Sequence, residues 1–216
     1  MLRLRRMLHQ PPIWSIAHHK GLPSDSGYWY AAAALFGVNT WIWSTIFHTR
    51  DKGWTEKMDY FSAAAGILYS VLYTIIRQCR IRATAPRVTL CLLFTAIFIA
   101  HVLYLTSGAR FDYLYNMIFN VLAGATFNVL WIGWSVFQYV RDRRRKHAWR
   151  PAAWALGISC AMALELFDFP PIFGIFDAHS LWHLATIPLI GWWYQFLLID
   201  TRWETETRSL VKQRDM

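Results

Sequence analysis

The sequence predicts an all-α integral membrane protein with six transmembrane helices. Three observations lead there. Hydrophobic residues make up 56% of the 216-residue chain and charged residues only 16%, against the roughly 25% charge usual in soluble domains. Several apolar runs reach the roughly 20 residues that a spanning helix needs. The basic residues behind the net charge of +9 sit between those runs rather than on one soluble face, so they read as topology signals and not as a nucleic-acid-binding surface.

Residues 1–27 open with Met1-Leu2-Arg3-Leu4-Arg5-Arg6 and pass through Pro11-Pro12 and Gly21-Leu22-Pro23. The basic start is like that of a signal peptide, but no clean apolar stretch follows. This segment is expected at the cytosolic membrane surface, with His18 and His19 solvated. Six apolar segments then follow at 28–48, 59–77, 87–107, 113–140, 151–168 and 178–199, joined by short connections. They form one helical membrane domain over 28–200, and residues 201–216 are a cytosolic tail. Cys79, Cys91 and Cys160 are isolated in or beside apolar runs and show neither disulfide nor metal-site spacing, so they are read as packing residues.

Loop charge sets the orientation. The N-terminal segment, the connection Arg77–Arg87, the connection Arg141–Arg150 and the tail together hold eighteen of the 22 lysines and arginines. Arg50, Lys52, Lys57 and Arg110 are the four on the other side. Positive loops stay in the cytosol, so both ends are expected there, and the connection at 49–58 faces a lumen.

On that luminal side the polar residues gather. Ser44 and His48 are spaced i, i+4 and share one helical face. Asp59 opens the next apolar segment. His179 and His183 repeat the i, i+4 spacing just after the connection at 168–178, and that spacing allows two imidazoles to bind one metal ion. Ionisable groups at membrane depth are costly and mark function. Three histidines with an open fourth position fit a catalytic zinc site better than a closed structural one. Against this, each histidine alone could be a packing residue, Asp59 a helix cap and Ser44 a small polar packing residue. His101 stands alone in mid-segment and is read as packing. Glu165 and Asp168, ahead of Pro170-Pro171, either orient ligands from behind or end their helix.

The stretch Asn39-Thr40-Trp41-Ile42-Trp43-Ser44-Thr45-Ile46-Phe47-His48-Thr49-Arg50-Asp51, with Thr55-Glu56-Lys57-Met58-Asp59-Tyr60-Phe61, resembles the Per-like GPI-remodelling phospholipases (the post-GPI-attachment-to-proteins factor three group). Arg110-Phe111-Asp112-Tyr113, Tyr115-Asn116, the Leu164–Pro171 block and Asp177-Ala178-His179 with Trp182-His183 extend the likeness from about Tyr28 to Asp200. The resemblance implies membership of a superfamily of seven-helix membrane hydrolases that includes alkaline ceramidases and adiponectin-receptor-like proteins. Its shared serine, histidine, aspartate and His-x-x-x-His fall here on Ser44, His48, Asp59, His179 and His183. It also implies removal of the sn-2 acyl chain from the lipid of GPI-anchored proteins, in the membrane of the Golgi apparatus or of the endoplasmic reticulum. Family members start with a signal peptide, a cysteine-containing luminal segment and a first helix. None of these is found here, so the chain is expected to enter just before the family's second helix, as a seven-helix bundle lacking its first member.

The expected chemistry is zinc-assisted ester hydrolysis. His48, His179 and His183 are the ligands, Asp59 is the general base and then acid, and Ser44 helps stabilise the oxyanion. The expected partners are the lipid bilayer and GPI-anchored proteins, with no nucleic acid. Three alternatives stay open: an amidase of the ceramidase kind, a non-catalytic receptor or escort for GPI-anchored cargo, and a proton-coupled transporter. The last would usually show an internal repeat, and none is visible.

Overall fold

The computed structural model describes residues 24–142, 144–167 and 169–214. Residues 1–23, with His18 and His19, and Asp168 lie outside them. Six helices account for nearly all of the described chain: α1 Ser24–Thr49, α2 Gly53–Gln78, α3 Thr84–Ser107, α4 Tyr113–Arg141, α5 Arg150–Phe167 and α6 Ala178–Arg214. Each coincides with one of the six apolar segments. The differences are at the ends: α2 starts six residues earlier than its apolar run, and α6 continues past residue 199 to Arg214.

The helices start and stop for local reasons. Thr55, in the first turn of α2, accepts the Lys52 N–H at 3.0 Å, and its hydroxyl lies within bonding distance of the carbonyls of Arg50 and Lys52. Asp112 caps α4 by accepting the Tyr115 N–H at 3.0 Å. Asp177 does the same for α6 through the Ser180 N–H at 2.7 Å. In each case a side-chain oxygen satisfies a donor that the first helical turn leaves without a partner. Helix α2 ends with Arg80 at φ 53° and a bond from the Ile81 N–H back to the Ile76 carbonyl at 3.0 Å, the geometry of a left-handed helix terminator.

Helices α2, α3 and α4 are long and apolar enough to cross a membrane. In α3, only His101 and Leu105 are buried, while Val88, Leu92, Leu93, Ile97, Ile99 and Leu103 are exposed. An apolar helix with so little of its surface packed needs lipid as its solvent. The chain is a multi-pass membrane protein.

The chain folds as two compact units, one running from Ala32 to Trp131 and the other made of the described residues up to Ala31 and from Ile132 onward. In the first, Thr40 of α1 donates to the Ser62 carbonyl of α2 at 3.0 Å, and Phe36 stacks on Tyr69 at 4.6 Å. Gly66 permits this approach, since a Cβ there would stand 3.3 Å from the Thr40 hydroxyl. Further along α2, the buried Trp131 indole donates to Thr74 at 3.0 Å, and the Arg77 guanidinium lies 5.0 Å from the Trp131 ring centre. In the second unit, the Trp154 indole donates to the Leu189 carbonyl at 2.8 Å. Gly157 lets α5 and α6 close up there, because a Cβ would lie 2.9 Å from the Leu189 side chain. The cysteines are unpaired, and Cys79 and Cys160 are exposed rather than packed.

Candidate functional site

In the unit 32–131, Ser44 and His48 occupy the last turns of α1 and Asp59 the second turn of α2. Ser44 is buried, Asp59 half-buried and His48 exposed. The short connection between α1 and α2 keeps the three residues at one end of the unit. The Asp59 carbonyl accepts the Ser62 hydroxyl at 2.9 Å. This end is closed by aromatic residues from the connection between α3 and α4. Phe111 stacks on Tyr60 at 5.2 Å, and the Tyr113 hydroxyl donates to the Glu56 carboxylate at 2.7 Å. Thus the Arg110–Tyr113 motif positions the end of the bundle on which Asp59 sits.

In the other unit, the cap from Asp177 starts α6 directly before His179. The bond from the Ser180 backbone N–H, with help from the Ser180 side chain, holds the Asp177 carboxyl below its usual pKa range. One turn on, the imidazoles of His179 and His183 meet edge to face, with their Nε2 atoms 3.0 Å apart. The Nδ1 of His179 faces the Glu165 carboxylate at 2.8 Å. An ionised carboxylate only accepts, so Nδ1 carries the proton and the Nε2 lone pair of His179 points at His183. Two ligands of a tetrahedral zinc at 2.0–2.1 Å stand about 3.3 Å apart. The observed separation is close to that, and a carboxylate behind a ligating histidine is the usual support for such a site. The pair therefore fits zinc. Of the two acids considered beside it, Glu165 is in contact and Asp168 lies outside the described residues. The hydrogen bond from Tyr113 to Glu56 was not foreseen. Both residues sit within the recognised motifs, but nothing in their spacing announces a pair 57 positions apart.

A family profile described as the Per1-like family matches residues 6–201. The chain belongs to the Per1-like family. It is similar to the "GPI-specific phospholipase A2-like PGAP3" of Danio rerio, with 39% identity over 86% of this chain and 58% of the relative. The protein of the same name from Homo sapiens is 37% identical over 83% of this chain and 56% of its own length. The "Protein PER1 homolog" of Schizosaccharomyces pombe is 42% identical over 76% and 50%. This Per1-like chain thus spans about half the length of the relatives it matches. No solved structure matches it.

Proposed function

We propose that this Per1-like chain hydrolyses the sn-2 acyl ester of the lipid in GPI-anchored proteins, using zinc held by His48, His179 and His183. The observation that carries the reading is the Glu165–His179–His183 arrangement, in which the carboxylate fixes the tautomer that frees Nε2 and the second Nε2 faces it at 3.0 Å. The names of the relatives supply the substrate class. When bound, zinc supplies Lewis acidity and brings the pKa of a coordinated water toward about 7.

The chain's own residues do the rest. The Asp59 carboxylate takes one proton from the attacking water as oxygen adds to the ester carbonyl. It returns that proton to the glycerol oxygen as the carbon–oxygen bond breaks, leaving a free fatty acid and a lyso-lipid. The Ser44 hydroxyl donates to the oxygen on which negative charge develops. Ser44 is not used as a nucleophile, because a histidine occupied as a ligand cannot also act as its base. The loop charges support a luminal site, with α1, α5 and α6 crossing the bilayer as well, and the family resemblance is what suggests the Golgi membrane or that of the endoplasmic reticulum.

The test separates ligand from base. His48→Ala, His179→Ala and His183→Ala should each lose zinc and acyl release together. Asp59→Asn should keep zinc near stoichiometric by mass spectrometry while acyl release from a GPI or phosphatidylinositol substrate falls about 10²–10⁴-fold. Loss of zinc in Asp59→Asn would make Asp59 a ligand. Full activity in that variant would remove Asp59 from the chemistry and leave it a half-buried packing residue in the second turn of α2.

A further inference from the structure

Helix α3 is apolar and mostly unpacked, yet one of its two buried residues is a histidine. His101 is 1% exposed. Its ring stacks on Phe119 at 3.9 Å and on Tyr115 at 5.4 Å, which accounts for its faces but not for its edge. The Asn116 amide lies alongside, but neither ring nitrogen has a partner at hydrogen-bonding geometry. A neutral imidazole needs one acceptor for its N–H and one donor for its bare nitrogen.

A second unpaired atom lies close in sequence and on the same helix as Asn116. Asn120 donates through Nδ2 to the Asn116 backbone carbonyl at 3.0 Å and to the Asn116 side-chain oxygen at 3.1 Å. A backbone carbonyl can only accept, so the Asn120 amide cannot be turned round. Its Oδ1 is therefore the buried acceptor left without a donor. The unpaired set is one N–H donor and two acceptors, a neutral combination with no carboxylate or thiolate. A metal ion would find too few ligands there. A water molecule both accepts and donates, and buried waters characteristically sit among such otherwise unsatisfied groups.

We propose that His101, Asn116 and Asn120 bind an ordered internal water. It accepts from the imidazole N–H and donates to Asn120 Oδ1, beside the Asn116 side chain. Its depth gives the site its interest. His101 stands six residues before the end of α3, and Asp59 six residues after the start of α2, about 9 Å along each helix axis. The Tyr113–Glu56 bond and the Tyr60–Phe111 stack hold those two ends together. The water therefore lies at the level of Asp59, among helices whose outer surfaces are apolar. This assignment stands whether or not zinc is bound elsewhere.

The test is thermal unfolding of the full chain in detergent. A hydrated site predicts that His101→Phe keeps the stack but lowers the unfolding midpoint by about 2–4 °C, and that His101→Gln recovers part of the loss. It also predicts that His101→Phe and Asn120→Leu together cost less than the two separate losses combined, because each single change strands the group that the water served. A midpoint unchanged or raised by His101→Phe would mean a dry site and overturn the proposal. So would equal losses in His101→Phe and His101→Gln that simply add to that of Asn120→Leu. Should the variants fail to fold, a density map of the unaltered chain that resolves ordered solvent decides directly: density between His101 and Asn120 supports the water, and its absence removes it.

Discussion

Two levels of α6, its first turns and the turn around Asp200, carry clusters built from similar parts and put to opposite uses. Near its start, Glu165, His179 and His183 form a half-exposed group in which two imidazole nitrogens face each other. From His179 to Asp200 is 21 residues, about 31 Å along the helix. There Asp200, only 1% exposed, accepts from Arg145 Nε at 2.9 Å and from a second nitrogen of the same guanidinium at 2.5 Å. His147 Nε2 meets the same oxygen at 2.7 Å. The Arg145 guanidinium also bonds Glu204 at 3.0 Å and lies 4.8 Å from the Trp134 and 4.4 Å from the Trp203 ring centres. One cluster has its charges matched and its donors used. The other is half-exposed, with one carboxylate and two imidazoles in contact. A buried charge must be paired to be tolerated, so the closed cluster is a fastening and the open one is the candidate for chemistry.

The largest effect should come from breaking the closed end. Asp200→Ala leaves the Arg145 guanidinium buried beside two indoles with only the more exposed Glu204 as a counter-charge. Removing one partner of a buried pair typically costs about 3–5 kcal/mol, which for a chain of this size lowers the unfolding midpoint by roughly 10 °C. Zinc per folded molecule should be unaffected. If the midpoint hardly moves, the Arg145 cluster is not what fastens this end, and the contrast with the His179 end fails.

The open end should respond the other way. In Glu165→Gln the amide oxygen can still accept from His179 Nδ1, but the negative charge that would support His179 as a ligand of the proposed zinc is gone. Losing such a supporting carboxylate costs about 10–100-fold in metal affinity, or about 1.4–2.7 kcal/mol. Without metal, the unfolding midpoint should stay close to that of the unaltered chain, because a half-exposed pair adds little stability. Chelator competition followed by metal-free unfolding reads both quantities. An unchanged zinc affinity would reduce Glu165 to a surface contact.

Periodicity and charge made one of these clusters legible in the sequence and hid the other. Ser44 with His48, and His179 with His183, announce themselves because i, i+4 pairs are local and stand out against an apolar background. Glu165 was visible as a candidate because it lies in the last turn of its apolar segment, just ahead of a proline pair. Arg145 was read as one more positive charge in a cytosolic loop. Nothing local distinguishes it from Arg144, and its partner Asp200 lies 55 positions away. Helix α6 overran its expected end for a related reason. The run Thr201-Arg202-Trp203-Glu204-Thr205-Glu206 ends the apolar pattern, but glutamate and arginine are good helix formers, and Glu204 is held by Arg145. His101 was read correctly as a packed residue. The missing partner at its ring edge could only be found once Asn116 and Asn120 were placed in space.

The smallest expected effect tests whether His147 is a working member of the closed cluster or a bystander. Its Nε2 shares one Asp200 oxygen with the Arg145 guanidinium, and its ring packs 6.3 Å from that of Phe196 and 6.1 Å from that of Trp203. With His147 replaced, Asp200 stays ionised and paired, so no charge is stranded and the penalty of Asp200→Ala does not arise. What goes is one hydrogen bond to a charged acceptor, worth about 1.5–3 kcal/mol. His147→Gln retains a donor of similar reach, so its loss should be nearer 1 kcal/mol, a midpoint shift of about 2–4 °C. His147→Phe keeps a ring for Phe196 and Trp203 but has no donor, and should lose more than the glutamine variant. If phenylalanine is the better tolerated of the two, ring packing rather than the bond to Asp200 holds this position. If glutamine costs as much as Asp200→Ala, the histidine is as necessary as the aspartate, and the fastening at this end of α6 is a triad rather than an Arg145–Asp200 pair.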